Sequence, residues 1–329
     1  MTDDAFRTPR NDTPDVPTCG VLVIDKPAGP TSHDIVAQAR RYFRTRRIGH
    51  AGTLDPMASG VLLVLVGEAT KLSNALTLER KSYEATVRFG SSTDTDDAEG
   101  HVVSTAELAP NWLDDDALLH ALESERARVC QTPPIVTAIK TDGVAAHRRH
   151  RQGQVVEVSP RDVRVFALEL LDCGTDSIRL ALTVSKGYYV RALARDLGRT
   201  LGVPAHLAAL RRTSSGEFSL GEAHPWPPPS LPKLLSLVET VRRILPCLSL
   251  TEEGVSRARV GKELDVTHVA GRLDGDPPWT VAMSGSPETI DLPKGTSAWL
   301  DSEGNLVALG SFDEDGHGRV ARGFVAPST

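Results

Sequence analysis

An aspartate lies on a glycine-rich loop that leads straight into the most apolar segment of the chain. The loop is GHAGTLDPMASG, residues 49–60, and VLLVLV follows at residues 61–66. Because a proline comes next, Asp55 is expected to be extended and to lie at the edge of a turn. It is either an ordinary Asp-Pro turn residue or a reactive carboxylate, which can serve as a nucleophile.

An ionised carboxylate beside an apolar sheet is tolerated only if a cation meets it. The candidate partner is Arg191 in SKGYYVRAL, residues 185–193, where a strand is predicted to end and a helix to begin. Such junctions often carry functional groups. The other interpretation is that Arg191 is one more surface arginine, and the sequence alone does not decide between the two.

The surrounding pattern predicts the elements that would position both residues. VLLVLV is apolar on both faces, which is typical of a central strand. In KSYEATVRFG, residues 81–90, Tyr83 and every second residue after it share one side of a strand. VRVFALELL and IRLALTV predict a hairpin. Residues 31–43 predict a helix that begins with capping-box spacing between Thr31 and Asp34.

The chain of 329 residues divides at the proline cluster PWPPPSLP, residues 225–232. Beyond it, short strands alternate with turns, which favours a small all-β module. The N-terminal segment is acidic and contains prolines but no apolar run, so we expect a disordered tail rather than a signal peptide. The expected units are therefore a tail at residues 1–18, a catalytic domain at 19–245 and the β module at 246–329.

The distribution of charge matters more than the formal net charge of −6. Basic segments at residues 40–47, 147–151, 191–199 and 211–212 could line one face of the molecule. Solvated helix faces give the same pattern. If these segments form one surface, the affinity for a nucleic acid should fall steeply with salt.

Several classes of site are disfavoured. The sequence contains no G-x-G-x-x-G, no phosphate-binding loop and no metal-ligand spacing. Its four cysteines lie far apart, which argues against structural zinc and disulfides and fits a reducing cytoplasm. TDTDDAEG, residues 93–100, lacks the glycine and glutamate positions of a calcium loop. No apolar run approaches the roughly 20 residues that cross a bilayer.

Five segments occur in the order and spacing of the TruB family, the bacterial tRNA pseudouridine synthases, so the chain resembles that family over residues 20–218. They are GVLVIDKPAGPTSHD, RRIGHAGTLDPMASGVLLVLVGEATK, KSYEATVRFGSSTDTDDAEG, SKGYYVRALARDLG and HLAALRRTSSGEF. The resemblance implies an α+β pseudouridine synthase fold with a mixed, largely antiparallel sheet flanked by helices. NLVALGSF, residues 305–312, makes the last module similar to a PUA-type RNA-binding domain.

The resemblance also implies an activity. The family isomerises the uridine at position 55 in the T loop of tRNA to pseudouridine. The uracil N1–C1′ bond breaks, the base turns, and it rejoins through C5 with every atom retained and no net electron transfer. We therefore expect a cytoplasmic enzyme that acts on the tRNA T arm as a monomer, without a cofactor, a metal, a membrane or a protein partner.

Three residues match the family's catalytic positions. Asp55 matches the nucleophile, and Arg191 matches the arginine that pairs with it. Tyr83 matches the tyrosine that stacks on the target uracil and is a candidate to help remove the C5 proton. Whether the carboxylate attacks C1′, attacks C6 or assists elimination stays open at this point.

Other residues match family positions that meet the RNA. His50 would enter the T loop where the flipped base had been, and Tyr189 and Leu210 would line the pocket. The resemblance places three lysines against RNA phosphates or the rim of the site, and one aspartate near the site: Lys26, Lys71, Lys140 and Asp94. One departure concerns RNA recognition, because His147 occupies the position after AIK where the family usually has a tyrosine.

Two other functions stay open. A non-catalytic RNA chaperone would keep the basic groove without turnover. A glycoside hydrolase would also start from a carboxylate, but it normally needs a second carboxylate at about 5–10 Å. No segment of the sequence provides an obvious candidate for that second group.

Overall fold

A mixed β-sheet forms the centre of the larger part of the molecule. The computed structural model describes residues 19–78, 80–110, 112–135, 140–141, 144–145, 159–273 and 294–325. The strands of this part are β1 (Gly20–Lys26), β2 (Ile48–Ala51), β3 (Ser59–Val66), β4 (Lys81–Phe89), β5 (Ser91–Thr93), β6 (Val102–Thr105), β7 (Cys130–Gln131), β8 (Lys140–Thr141), β9 (Val144–Ala145), β10 (Arg161–Asp162), β11 (Val165–Cys173), β12 (Ser177–Val184), β13 (Ala205–Ser215), β14 (Phe218–Ser219) and β15 (His224–Pro225).

The α-helices of the described chain are α1 (Ser32–Tyr42), α2 (Ser73–Leu78), α3 (Asp115–Arg126), α4 (Val190–Leu201), α5 (Leu237–Ile244) and α6 (Glu252–Arg259). Among the residues that the structure describes, none of the helices has the length and apolar composition that crossing a membrane requires.

The sheet has nine strands, in the order β11-β12-β4-β13-β3-β1-β15, with β2 paired to β3 and β14 paired to β13. Two pairs are parallel, β13 with β3 and β1 with β15. The other pairs are antiparallel. The expectation of a mixed, largely antiparallel sheet is therefore confirmed, and so is the hairpin of β11 and β12.

The position of β3 explains why the segment after Asp55 is so apolar. Every residue from Val61 to Val66 is fully buried, at 0% exposure. Alternate side chains of this strand pack into two hydrophobic clusters, which lie on opposite faces of the sheet. The loop that carries Asp55 is thus anchored at the start of a strand with both faces covered.

Two helices flank the sheet near that loop. α1 begins at Thr31, which forms the predicted capping box with Asp34. α4 follows β12 after a short connection and ends at Gly202, whose φ of +72° gives the left-handed C-cap that glycine favours. Arg191 is the second residue of α4, so the start of the helix fixes the position of its side chain.

The last part of the chain is a five-stranded sheet with one helix, so the expected β module is present. Its order is β17-β16-β18-β19-β20, and α6 lies between β16 and β17 in sequence. The strands are β16 (Cys247–Leu250), β17 (Val269–Arg272), β18 (Gly295–Leu300), β19 (Leu306–Phe312) and β20 (Gly318–Gly323). The pattern after residue 246 did not reveal α6, which begins after the N-cap Thr251.

Candidate active site

A cavity of about 320 Å³ opens where four segments of the larger part meet. They are residues 52–55, the start of β4, the connection from β12 to α4, and β13. Its lining includes five residues that the sequence analysis assigned to the site: Asp55, Tyr83, Tyr189, Arg191 and Leu210. Lys81 and Arg212 line it too. These segments are distant in sequence, so the fold itself creates the site.

The structure contains the expected contact between Asp55 and Arg191. Arg191 Nε lies 3.0 Å from Asp55 Oδ2, and Nη2 donates to Oδ1 at 3.4 Å. The side chain of Arg191 is 7% exposed and that of Asp55 is 37% exposed. The guanidinium is therefore held inside the protein, while the carboxylate remains accessible from the cavity.

A second carboxylate, which the sequence analysis missed, meets the same guanidinium. Asp97 Oδ2 lies 3.5 Å from Arg191 Nη1, and Nη1 also donates to the Thr95 carbonyl at 3.0 Å. Asp97 is buried, with 4% exposure. Two carboxylates, one accessible and one buried, therefore face the same buried guanidinium.

Asp94, expected near the site, lies in the same loop as Asp97 but makes a different contact. Its Oδ1 accepts a hydrogen bond from the backbone N–H of His101 at 2.8 Å, so it closes its own loop and is not among the residues that line the cavity. Asp97, not Asp94, is the aspartate of this loop that contacts Arg191. The TDTDDAEG segment holds three aspartates within four positions, and the backbone turns at Asp96, with φ +60°, just before the one that faces Arg191.

Arg212 lies in the wall of the cavity and binds backbone carbonyls there. Its side chain is buried, Nε donates to the Val61 carbonyl at 2.6 Å, and Nη2 donates to the Gly52 carbonyl at 2.8 Å. Burial lowers the pKa of Arg212, while the charge of Tyr83 and its hydrogen bond to Arg212 oppose that change. The expectation that residues 211–212 belong to an exposed basic face is wrong for Arg212.

Gly60 allows the start of β3 to approach the backbone of Arg212 on β13 closely. Gly60 has φ +104°, and a Cβ at this position would lie 2.1 Å from the Arg212 carbonyl oxygen. Any other residue would push β13 away from the start of β3. This close contact accounts for the glycine that follows Ser59 in the loop.

Lys26 binds backbone carbonyls next to the loop that carries Asp55. It is fully buried, and its Nζ donates to the carbonyls of Pro27 at 2.9 Å, Pro30 at 2.7 Å and Pro56 at 3.4 Å. Burial lowers the pKa of Lys26 to about 8. The side chain is therefore turned inwards, bound to backbone carbonyls near Asp55, and is not among the described residues that line the cavity.

The same N-terminal segment fixes the residue before Asp55. Ser32 Oγ donates to the Leu54 carbonyl at 3.1 Å and accepts from the Leu54 N–H at 2.9 Å. This reciprocal pair is buried. The start of α1 and the TLDP turn are therefore held as one unit.

His50 lies on β2, opposite Val64 of β3, and is not among the described residues that line the cavity. Its ring meets the exposed His33 edge-on, with the centroids 5.4 Å apart. Burial lowers the pKa of His50, and the charges of His33 and Arg212 lower it further. Its Nδ1 is buried and has no hydrogen-bond partner in the described structure. His50 is thus neutral at pH 7.

The other two lysines lie away from the cavity or outside the described side chains. Lys71 pairs with Glu68, donates to the Gly323 carbonyl at 2.7 Å and lies over the Phe324 ring. It therefore contacts the C-terminal segment. The backbone of Lys140 belongs to β8, but its side chain lies outside the described part, and His147 lies outside it entirely.

Comparisons with known proteins agree with this geometry. A family model described as "TruB family pseudouridylate synthase (N terminal domain)" matches residues 40–190. A second, "tRNA pseudouridylate synthase B C-terminal domain", matches residues 191–226.

Two curated relatives are each named tRNA pseudouridine synthase B. The one from Corynebacterium aurimucosum is 40% identical over 317 residues, which cover 94% of this chain and 97% of the relative. The one from Mycobacteroides abscessus is 41% identical over 295 residues, covering 88% and 91%.

Two solved structures with low sequence identity share the fold of this chain. A chain from an H/ACA RNP bound to a substrate RNA has a TM-score of 0.66 at 22% identity, covering 94% of this chain and 86% of that one. A chain from an archaeal box H/ACA sRNP complex has a TM-score of 0.65 at 23% identity, covering 94% and 87%. With the family models matched across the cavity-lining segments and relatives at 40–41% identity over most of the length, the chain belongs to the TruB family of pseudouridylate synthases.

Proposed function

We propose that this protein isomerises the uridine at position 55 in the T loop of tRNA to pseudouridine. The observation that carries the proposal is the carboxylate of Asp55, held at a cavity by the buried Arg191. This arrangement occurs in a chain that matches tRNA pseudouridine synthase B of Corynebacterium aurimucosum over 97% of that relative's length. The substrate is tRNA, and the T arm is the part that we expect to enter the cavity.

Asp55 is the nucleophile in this proposal. The reaction needs a carboxylate next to the sugar and base, and Arg191 contacts both oxygens of the Asp55 carboxylate. Water must not capture the separated base, so the reaction also needs an enclosed site. Attack on C1′, attack on C6 and assisted elimination all begin with the same oxygen atoms of Asp55.

Tyr83 is the residue proposed to stack on the flipped uracil. It projects from β4 into the cavity, and its hydrogen bond with Arg212 keeps the ring in one orientation. Leu210 and Tyr189 supply further walls for the base. Tyr83 is also the proposed group that helps to remove the C5 proton.

His50 is proposed to fill the space that the flipped base leaves in the T loop. Flipping costs a few kcal/mol, and a ring that replaces the base in the stack offsets part of this cost. A neutral imidazole suits this role because it stacks without carrying a charge into the loop. We expect the reaction to occur in the cytoplasm, with the protein acting as a monomer.

Mass spectrometry of an in vitro reaction tests the proposal. The substrate is a T-arm RNA in which every uridine carries deuterium at C5. Isomerisation releases that deuterium, so the fragment that contains position 55 should lose one mass unit while the other uridines keep their label. Full retention of the label at position 55 would overturn the proposal and favour a non-catalytic RNA chaperone.

A further inference from the structure

A second cleft, of about 810 Å³, adjoins the catalytic cavity. The two share Ser185 and Lys186, in the connection that leads from β12 to α4. The second cleft is lined by the start of β4, by Phe166 of β11, by Thr183 of β12 and by the turn between β13 and β14. A strand of substrate that leaves the catalytic cavity past Lys186 would enter this cleft.

Two arginines lie against one aromatic ring beside this cleft. The guanidinium carbon of Arg80 is 4.2 Å from the centroid of the Phe166 ring, and that of Arg164 is 5.2 Å from it. Phe166 is 36% exposed. The ring attracts both cations, which holds two positive charges beside the cleft.

These cations differ from the arginines around the catalytic cavity. Arg191, Arg195 and Arg211 are paired with aspartates. In the part of the chain that the structure describes, no ion pair involves Arg80, Arg164 or Lys186. Among the described residues that line the cleft, one, Glu217, is acidic. The cleft therefore has a local positive surplus in a chain whose net charge is −6.

A phosphodiester is the ligand chemistry that fits this surplus. Two like charges held near one ring repel each other, and a nearby anion reduces that repulsion. The planar fork of a guanidinium matches the oxygens of a phosphate group. We propose that this cleft binds the phosphate backbone of the tRNA strand next to the uridine in the catalytic cavity. The inference rests on the proposed function, since it takes tRNA as the substrate.

The test compares charge variants of the cleft in binding to a fluorescent T-arm RNA at several salt concentrations. The double variant Arg80→Gln, Arg164→Gln should raise Kd by about tenfold. It should also reduce the slope of log K against log salt by about 1 for each phosphate that the variant no longer binds. Glu217→Gln should lower Kd, because it removes the acidic group of the cleft.

Arg179→Gln is the matched control. Arg179 lies on β12 of the same sheet, pairs with Glu84 at 3.7 Å and is 53% exposed. It does not line the cleft, whereas Arg80 lines it and Arg164 lies against its Phe166 ring. It should leave Kd at the wild-type value. An equal rise of Kd in the control and in the cleft variants would mean a general charge effect and would overturn the inference.

Isomerisation by the wild-type protein is measured on the same RNA. If the wild type forms pseudouridine and the cleft variants bind with unchanged Kd and salt slope, the cleft assignment fails while the proposed function stands. If the wild type binds the RNA and forms no pseudouridine, the proposed function fails, and the binding data still report whether the cleft holds phosphate.

Discussion

At the scale of single residues, the site depends on the guanidinium of Arg191, which contacts two carboxylates. Arg191 contacts both oxygens of Asp55 and reaches Asp97 with its remaining Nη atom. Its N–H groups lie in one plane and point in fixed directions. The side chain thus sets the orientation of the accessible acid, while the buried acid holds the arginine in place.

Replacing Arg191 with lysine should slow the reaction by about 100-fold, since a misplaced reacting group commonly costs that much. An ammonium keeps the positive charge, but it cannot contact both oxygens of Asp55 and reach Asp97 from the same position. Single-turnover rates at saturating T-arm RNA measure the effect. A rate within about twofold of the wild type would show that charge alone is sufficient.

Lys26 gives a prediction about pH. Its pKa is lowered by burial from 10.5 to about 8. Between these values the unfolded chain holds the proton and the folded chain does not, so the unfolded state binds more protons. Stability therefore rises with pH in this window. The cost of burying the charge is present in full below about pH 8 and is relieved as the pH approaches 10.5.

The variant Lys26→Met has no such group, so the free energy of unfolding of the wild type relative to this variant should increase from about pH 8 towards pH 10.5. Urea unfolding at a series of pH values measures the difference. Loss of the hydrogen bonds to loop carbonyls also lowers the stability of the variant, so the slope of the difference with pH is the quantity to compare. A difference that is constant or falls with pH would contradict the buried, charged lysine.

At the scale of elements, α4 holds the loop at residues 93–97 against the site. Arg191 binds Asp97 and the Thr95 carbonyl. One turn later, Arg195 Nη1 pairs with Asp96 Oδ2 at 3.2 Å. Asp96 adopts φ +60°, which is unfavourable for a residue with a side chain. Burial raises the pKa of Asp96, and Arg195 opposes that change, so the ion pair stabilises a strained turn.

Replacing Arg195 with glutamine should destabilise the protein by about 3 kcal/mol, because it leaves a largely buried aspartate without its cation. Displacement of the loop should also slow isomerisation, since Asp97 lies in the same turn. Denaturant unfolding and single-turnover rates measure both effects. Arg199→Gln is the control on the same helix: that side chain is 72% exposed, so its loss should cost less than about 0.5 kcal/mol.

The elements near the site show what the sequence can and cannot predict. The strand after Asp55, the alternation in β4 and the capping box of α1 follow from local patterns, and the structure confirms each of them. The contact of Asp97 rather than Asp94 with Arg191 depends on how the backbone of this loop turns, which three aspartates within four positions do not reveal. The burial of Arg212 depends on carbonyls from other segments, so a charge pattern alone placed it wrongly on an exposed face.

At the scale of the whole molecule, the catalytic part and the C-terminal sheet share a hydrophobic cluster. Phe324 and Leu309 of the C-terminal part pack in it with Leu72 and Leu76 of the catalytic part. Lys71 adds a hydrogen bond to the carbonyl of Gly323 and lies over the Phe324 ring. Because the cluster includes residues from both parts, the two should unfold together.

Replacing Phe324 with alanine should lower the free energy of unfolding by about 3–5 kcal/mol, the usual cost of removing a buried phenylalanine. The wild type should show one transition, with the same midpoint by far-UV circular dichroism and by tryptophan fluorescence. Two separate transitions in the wild type would mean that the shared cluster does not couple the parts.

The central claim is that the accessible carboxylate of Asp55 carries out the reaction. The most direct test is the rate at which Asp55→Asn releases deuterium from C5 of the target uridine, in single turnover at saturating T-arm RNA. The change keeps the shape of the side chain and removes its charge, so the rate should fall by at least about a thousandfold. Asp176→Asn, at an exposed aspartate paired with Arg88, should retain the wild-type rate. Release by Asp55→Asn at the rate of the wild type would contradict the account.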